Sequence, residues 1–84
     1  MNNEDEIIFI RQFGERLRYI RIEKKLSQED LANDADIPIN QVGRIERAEI
    51  ATSLKTIFKL SKALDIDVVD FFITDIIIKK ENNN

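Results

Sequence analysis

Residues 28–47 read QEDLANDADIPINQVGRIER and decide the fold of this chain. Leu31, Ala32 and Ala35 recur at helical spacing and share one face of a first short helix. Val42 and Ile45 do the same for a second helix. Ala32 is small at the point where the two helices must come close together. The stretch therefore predicts two short helices joined by a tight turn.

Start signals and apolar spacing extend this pattern into an all-α chain. Ser27 with Asp30 three residues later predicts a capping box at the start of the helix over 28–35. We predict five helices in all, with Gly14 tolerated inside the first, Thr52 or Ser53 capping the fourth and Asp67 capping the fifth. Their expected ranges are about 7–24, 28–35, 39–47, 54–64 and 68–72. The β-branched segment 73–78 is expected to be an extended strand or a helix continuation, and residues 79–84 to fray.

Several ordered sequence blocks carry a family resemblance. They are RLRYIR at 16–21, LSQEDLA at 26–32, Val42, RIER at 44–47, SLKTI at 53–57 and LSKAL at 60–64. Together they resemble the Cro/C1-type (XRE) helix-turn-helix family of phage-repressor-like transcriptional regulators. The resemblance implies a compact five-helix, lambda-repressor-like DNA-binding domain. We expect one domain over residues 1–84, with its core at 13–72 and a C-terminal tail at 73–84.

Composition argues against several other classes of protein. The chain has 84 residues and contains neither cysteine nor histidine, so disulfides, thiolate nucleophiles and the usual zinc ligands are absent. We therefore expect no enzymatic activity, no metal and no cofactor. The N-terminus is acidic, and no apolar run approaches the length of a signal peptide or a membrane span. We expect a cytoplasmic protein with no small-molecule effector.

The net charge of −3 is unusual for a protein that binds DNA, but the charge is unevenly distributed. Between residues 11 and 62 there are eleven basic and eight acidic residues. The remaining acidic residues lie mainly at 4–6 and 65–75. A solvated surface of mixed charge explains most of these residues individually. A basic face on the central part of the chain is compatible with the same distribution.

The third helix is the expected reader of double-stranded DNA. Val42 and Ile45 must face the core, which leaves the other positions pointing elsewhere. In the family that the chain resembles, this end enters the major groove. The candidate base contacts are Ile39, Asn40, Gln41, Gly43 and Arg44, of which the resemblance assigns the main positions to Ile39, Asn40 and Arg44. The alternative for each is a residue exposed on a solvated helix.

Other residues are assigned to the DNA backbone or to the fold. Gln28 stands where relatives commonly bind a phosphate and brace the recognition helix, and the start of its helix favours an anion. The remaining candidate phosphate contacts are Arg47, Lys55 and Lys59. Arg21 and Glu46 match a pair that relatives often use as a partly buried, structural salt bridge.

Four positions depart from the family pattern. Asp36 replaces the usual turn glycine, and aspartate tolerates the left-handed conformation better than most residues. Pro38 replaces a capping serine or threonine, although proline suits a helix start. Gly43 lowers the helix propensity of the third helix, and it either permits close approach to DNA or is tolerated at an exposed site. Ala48 replaces a helix-ending glycine, so the end of this helix is not fixed by the sequence.

Apolar residues near both ends exceed what a small core readily buries. They include residues 7–10 and a C-terminal group that we assign to a homodimer interface: Phe71, Phe72, Ile73, Ile76, Ile77 and Ile78. A two-fold dimer would space two recognition helices by about 34 Å and read an inverted repeat. The alternative is that the two ends pack on each other within one subunit.

The sequence therefore predicts a homodimeric, sequence-specific transcriptional regulator that acts on an inverted-repeat operator. It is most similar to the small controller proteins of restriction-modification systems and to phage-type repressors. A second hypothesis is an antitoxin-like interaction module that neutralises a partner protein and autoregulates, which the apolar C-terminus suggests.

Overall fold

Four α-helices and a final 3₁₀ segment follow one another along the chain. A computed structural model describes residues 3–73. The helices are α1 (Asn3–Glu23), α2 (Gln28–Ala35), α3 (Gln41–Glu46) and α4 (Leu54–Leu64), and the 3₁₀ segment is Val68–Phe72. All regular secondary structure in this range is helical, as predicted. The fifth predicted helix is a 3₁₀ turn rather than an α-helix, because only five residues separate Asp67 from Ile73.

Side-chain caps set the starts of α2 and α4, whose predicted bounds are both confirmed. The Ser27 Oγ accepts a hydrogen bond from the Asp30 backbone N–H at 2.9 Å, and the Asp30 carboxylate accepts one from the Ser27 N–H at 3.1 Å. Ser53 caps α4 by accepting from the Thr56 N–H at 3.1 Å. Each cap satisfies backbone donors that a helix start otherwise leaves unpaired.

The capping box on α2 makes part of the stability pH-dependent. Hydrogen bonds from the Ser27 backbone and side chain hold the pKa of Asp30 below its ordinary value. A carboxylate with a lowered folded pKa stabilises the fold above its ordinary pKa, and this contribution is lost as the pH falls towards the folded value. We expect Asp30→Asn to reduce the difference in urea midpoint between about pH 7 and about pH 3. An unchanged difference would contradict this assignment.

The predicted bounds of α1 and α3 differ from the observed ones. Helix α1 begins at Asn3, four residues before the predicted start, and Glu4, Asp5 and Glu6 place negative charge in its first turn. Helix α3 begins at Gln41 rather than at residue 39. The preceding residues form a turn in which the Gln41 N–H donates to the Pro38 carbonyl at 3.0 Å. Pro38 is therefore the first residue of this turn and does not open the helix.

All four α-helices end in the same way, on a residue other than glycine with a left-handed backbone. These residues are Lys25, Asp36, Ala48 and Asp65, with φ between 56° and 61°. At each end the left-handed residue and its successor donate two backbone hydrogen bonds to the last turn. The left-handed conformation predicted for Asp36 is confirmed, and Ala48 occupies the position where glycine is usual.

Gly14 lies where α1 crosses the end of α3. A Cβ at this position would lie 2.4 Å from the Ile45 carbonyl oxygen and 2.9 Å from the Glu46 carbonyl oxygen. Those neighbours are backbone atoms that cannot rotate away. Gly14 is therefore required for the close approach of the two helices, and its interpretation as a merely tolerated weak point is wrong.

The core joins the helical face predicted from residues 28–47 to residues from α1, α4 and the 3₁₀ segment. Its buried hydrophobic members are Phe13, Leu17, Ile20, Leu31, Ala32, Ala35, Val42, Ile45, Leu60, Leu64 and Phe71. The Arg16 Nε donates to the Asp70 carbonyl at 2.9 Å and so fastens the 3₁₀ segment to α1. Helix α3 is thus packed against a core whose members run from residue 13 to residue 71.

The C-terminal apolar residues do not all belong to one surface. Phe71 is only 1% exposed and packs against Phe13 with ring centroids 5.3 Å apart, so its assignment to a dimer interface is wrong: its own subunit already buries it. Phe72 stacks on Phe9 at 6.0 Å, and Phe72 and Ile73 are half-buried. Ile76, Ile77 and Ile78 lie outside the described residues, as does most of the segment that suggested an antitoxin.

Candidate nucleic-acid interface

Helix α3 presents its early residues to solvent while its other face is anchored in the core. Val42 and Ile45 are fully buried, as predicted. Ile39 is 56% exposed, and Asn40 and Arg44 are also exposed, whereas Gln41 is half-buried. The anchoring fixes the direction in which these side chains point. The predicted base-contacting residues at 39, 40 and 44 thus lie on an outward surface of a rigidly held element.

Asn40 occupies the N-cap position of α3 without using its side chain as a cap. Its backbone is helical, with φ −80° and ψ −6°, and its amide makes no capping hydrogen bond. An asparagine side chain carries one acceptor and two donor hydrogens. The whole carboxamide of Asn40 therefore remains available to an external partner such as the paired acceptor and donor of an adenine edge.

Gly43 is buried, contrary to the prediction that it is exposed. A Cβ there would lie 2.8 Å from Arg47 Nη1 and 3.0 Å from Gln28 Oε1. Two long polar side chains therefore cross the surface of α3 at this position. Because Gly43 has no side chain, the Arg47 and Gln28 side chains can lie close to the helix backbone. The sequence pattern of α3 alone does not predict this arrangement.

A buried ion pair connects α1, α2 and the end of α3, and it includes the predicted pair of Arg21 and Glu46. Arg21 Nε lies 2.7 Å and Nη2 lies 3.0 Å from the two Glu46 carboxylate oxygens, and the side chains are 10% and 2% exposed. Arg21 Nη1 also donates to the Leu26 carbonyl at 2.8 Å. Gln28 Nε2 donates to Glu46 Oε1 at 3.0 Å, so Gln28 braces α3 as expected. This network orients α3 relative to the other two helices.

A second charged cluster lies at the exposed end of α3 and was not predicted. Glu49 accepts a hydrogen bond from Arg47 Nε at 2.5 Å and lies 3.9 Å from Arg44 Nε. The Arg47 hydrogen bond lowers the pKa of Glu49, with a smaller contribution from the charge of Arg44, and Glu49 raises the pKa of Arg47. Arg44 and Arg47 were predicted to contact DNA. The sequence alone does not show that the Glu49 side chain pairs with them.

The two predicted lysine contacts lie on α4 in different settings. Lys55 is exposed in the first turn of α4. Lys59 is half-buried, and its Nζ lies 3.4 Å from the Asp36 carbonyl oxygen in the turn between α2 and α3. Both carry positive charge on α4, which packs against α2. Among residues 3–73, no helix combines the length and apolar character required to cross a lipid bilayer.

Taken together, the surface of α3 offers amide and guanidinium donors, an apolar side chain and flanking positive charge. These are the groups that read base edges and neutralise phosphates. The arrangement suits recognition of a polyanion.

Comparison with known proteins identifies this arrangement. The helix-turn-helix family model HTH_3 matches residues 17–71. The control protein C.BamHI of Bacillus amyloliquefaciens is 41% identical over 63 residues, which cover 70% of this chain and 78% of the relative. An uncharacterized HTH-type transcriptional regulator of Methanocaldococcus jannaschii, MJ0272, is 34% identical over 58 residues, covering 69% of this chain and 88% of the relative.

A solved structure agrees with the sequence comparisons. The restriction-modification controller protein C.AhdI from Aeromonas hydrophila superimposes with a TM-score of 0.74 at 43% identity, over 75% of this chain and 96% of that chain. The family match over residues 17–71 contains α2, α3, α4 and every buried core residue except Phe13. The chain therefore belongs to the HTH_3 helix-turn-helix family, the Cro/C1 (XRE) type of DNA-binding transcription regulators.

Proposed function

We propose that the chain is a sequence-specific regulator that acts as a homodimer on an inverted-repeat operator, as a controller protein of a restriction-modification system. One observation carries the proposal: Ile39 and Asn40 just before α3 and Arg44 within it are exposed, while Val42 and Ile45 fix the helix in the core. A reading helix must be both rigid and uncovered. Similarity to C.BamHI and C.AhdI supports the biological setting.

In this proposal, Asn40 and Arg44 read bases in the major groove. The uncommitted amide of Asn40 pairs with an adenine edge, and the guanidinium of Arg44 pairs with a guanine. Ile39 contacts a thymine methyl group, and Gln41 adds a polar contact from its half-buried position. Gly43 makes room for the Arg47 and Gln28 side chains that cross the helix beside these residues.

Phosphate contacts come from the elements around α3. The α2 N-terminus presents unpaired backbone N–H groups near Gln28, and Arg47, Lys55 and Lys59 add positive charge. Since Gln28 also holds Glu46, its substitution would disturb the fold as well as the binding. Lys55 is therefore the cleaner probe of a phosphate contact, because it is exposed and lies in the first turn of α4.

Dimerisation is supported by apolar surface that one subunit leaves uncovered. Ile7, Ile8 and Phe9 are about half exposed near the start of α1, beside the 3₁₀ segment whose Val69 is also exposed. Leu54 and Phe58 form a further exposed pair on α4. A small module gains specific DNA affinity when two copies bind two half-sites. We propose that part of this surface, together with Phe72 and Ile73, forms the two-fold interface.

The reading residues are tested by comparing operator with random DNA. We expect Arg44→Ala and Asn40→Ala each to cost about 1–3 kcal/mol of operator binding and to reduce discrimination, because base contacts carry sequence information. Lys55→Ala should weaken both duplexes alike and make the salt dependence shallower. Fluorescence anisotropy on an inverted-repeat duplex, a single half-site and a random duplex measures all three effects.

Two outcomes of this experiment would contradict the proposal. If Arg44→Ala and Asn40→Ala lower operator and random-DNA affinity equally, these residues are not the readers. If the wild-type protein binds a single half-site as tightly as the inverted repeat, it does not act as a dimer on a two-fold operator. Circular dichroism of each variant checks that α3 remains folded.

A further inference from the structure

The residue that follows the left-handed position is a hydrophobe at three of the four helix ends. Leu26, Ile37 and Ile66 each donate a backbone hydrogen bond to the preceding helix and pack their side chains against the core. This pairing of a backbone cap with an apolar contact is usual at such ends. At the end of α3 the backbone bond is the same, from the Glu49 N–H to the Arg44 carbonyl at 2.9 Å. The side chain there is an exposed carboxylate instead.

The helix cap therefore places the Glu49 carboxylate beside Arg44 of α3 and Arg47, which follows the helix. Its two oxygens face different partners, Oε2 the Nε of Arg47 and Oε1 the Nε of Arg44. All three side chains are about half exposed, so none is needed to fill the core. The cluster carries a net charge of +1 where the arginines alone would carry +2. The Glu49 carboxylate is charged at neutral pH, and its hydrogen bond from Arg47 lowers its pKa further.

We propose that Glu49 competes with DNA for Arg44 and Arg47 and thereby limits the affinity of the recognition helix. This inference rests on the proposed function, since it assumes that these arginines face DNA. A carboxylate and a phosphate oxygen satisfy the same guanidinium donors, so an arginine held at Nε by Glu49 must release it or share it to engage the DNA fully. The nearby negative charge also repels the phosphate backbone.

The competition has a defined thermodynamic signature. Breaking an exposed ion pair opposes every complex in which the arginines contact DNA, whatever its base sequence. The free-energy cost of breaking these ion pairs is complete where DNA engages both arginines fully. It is smaller where the arginines remain paired with Glu49. Removal of the charge should therefore raise affinity for operator at least as much as affinity for random DNA.

The test compares Glu49→Gln with Glu15→Gln. Glutamine keeps the shape of Glu49 and loses its charge. Glu15 is an exposed acid on α1 that forms no ion pair with an arginine of residues 3–73, and its replacement changes the net charge by the same amount. We expect Glu49→Gln to bind a random duplex about two- to fivefold more tightly than Glu15→Gln, from the usual strength of exposed ion pairs. It should also elute from immobilised heparin at higher salt and show a steeper salt dependence on the duplex.

Two results would overturn the inference. Equal affinities for Glu49→Gln and Glu15→Gln would show that the arginines are not held back by Glu49. Weaker binding by Glu49→Gln and by Glu49→Ala would show that Glu49 positions the arginines for DNA instead of competing for them. The comparison uses a random duplex and heparin and therefore does not require a known operator. A failure to find any preferred operator would contradict the proposed function, but the effect of Glu49→Gln could still be measured.

Discussion

Glu46→Ala is expected to lower the free energy of unfolding by about 3–5 kcal/mol, because it leaves the buried guanidinium of Arg21 without its partner. It also removes the acceptor of the Gln28 amide. Small domains have only about 5–15 kcal/mol of stability, so much of the folded population would be lost on warming. Urea denaturation followed by circular dichroism measures the change.

The exposed pair at the end of α3 provides a control for this prediction. Arg47→Ala removes an ion pair of similar length whose partners are about half exposed, and it should cost under about 1 kcal/mol. A double variant, Arg21→Met with Glu46→Leu, should recover much of the loss because neither charge is then buried alone. A loss of less than about 1 kcal/mol for Glu46→Ala would show that water reaches Arg21.

Gly14→Ala is expected to destabilise the protein by about 2–3 kcal/mol, although alanine favours helices by about 1 kcal/mol over glycine. The added Cβ would overlap the carbonyl oxygens of Ile45 and Glu46, so α1 and α3 would have to move apart. The shift would also stretch the ion pair between Arg21 and Glu46. Thermal and urea denaturation measure the loss.

Gly43→Ala is the matched control for this steric effect. Its Cβ would meet only the ends of the Arg47 and Gln28 side chains, which can rotate away. We expect Gly43→Ala to retain more stability than Gly14→Ala, although both replacements add the same methyl group to a helix. Stabilisation of the protein by Gly14→Ala would mean that the two helices have room to separate at no cost.

The parts of the fold that were predicted correctly are those fixed by local chemistry. Ser27 and Ser53 mark the starts of α2 and α4 through hydrogen bonds within four residues, and the bounds of both helices followed. The buried face of α3 followed from the spacing of Val42 and Ile45. The family resemblance added the Arg21 and Glu46 pair, whose members are 25 residues apart and share no local signal.

The features that were missed depend on contacts between distant segments. Phe71 appeared to be surplus apolar surface, but Phe13 from α1 and the bond from Arg16 to Asp70 draw it into the core. Gly43 was expected to be exposed, because the sequence pattern of α3 does not reveal the Arg47 and Gln28 side chains that cross the helix at this position. Glu49 could have been suspected from one signal, a charged residue directly after the position where a helix-ending glycine is usual.

The left-handed residues at the four helix ends also bear on how long the protein persists in a cell. An ordinary residue in this conformation costs about 1 kcal/mol relative to glycine, and the four corners Lys25, Asp36, Ala48 and Asp65 lie far apart along the chain. Their combined cost is at most about 4 kcal/mol, a sizeable share of the about 5–15 kcal/mol by which a small domain is stable. Cellular proteases degrade the unfolded fraction, which grows as stability falls. Compared with glycine at the same positions, the four corners therefore enlarge the unfolded fraction that proteases can reach.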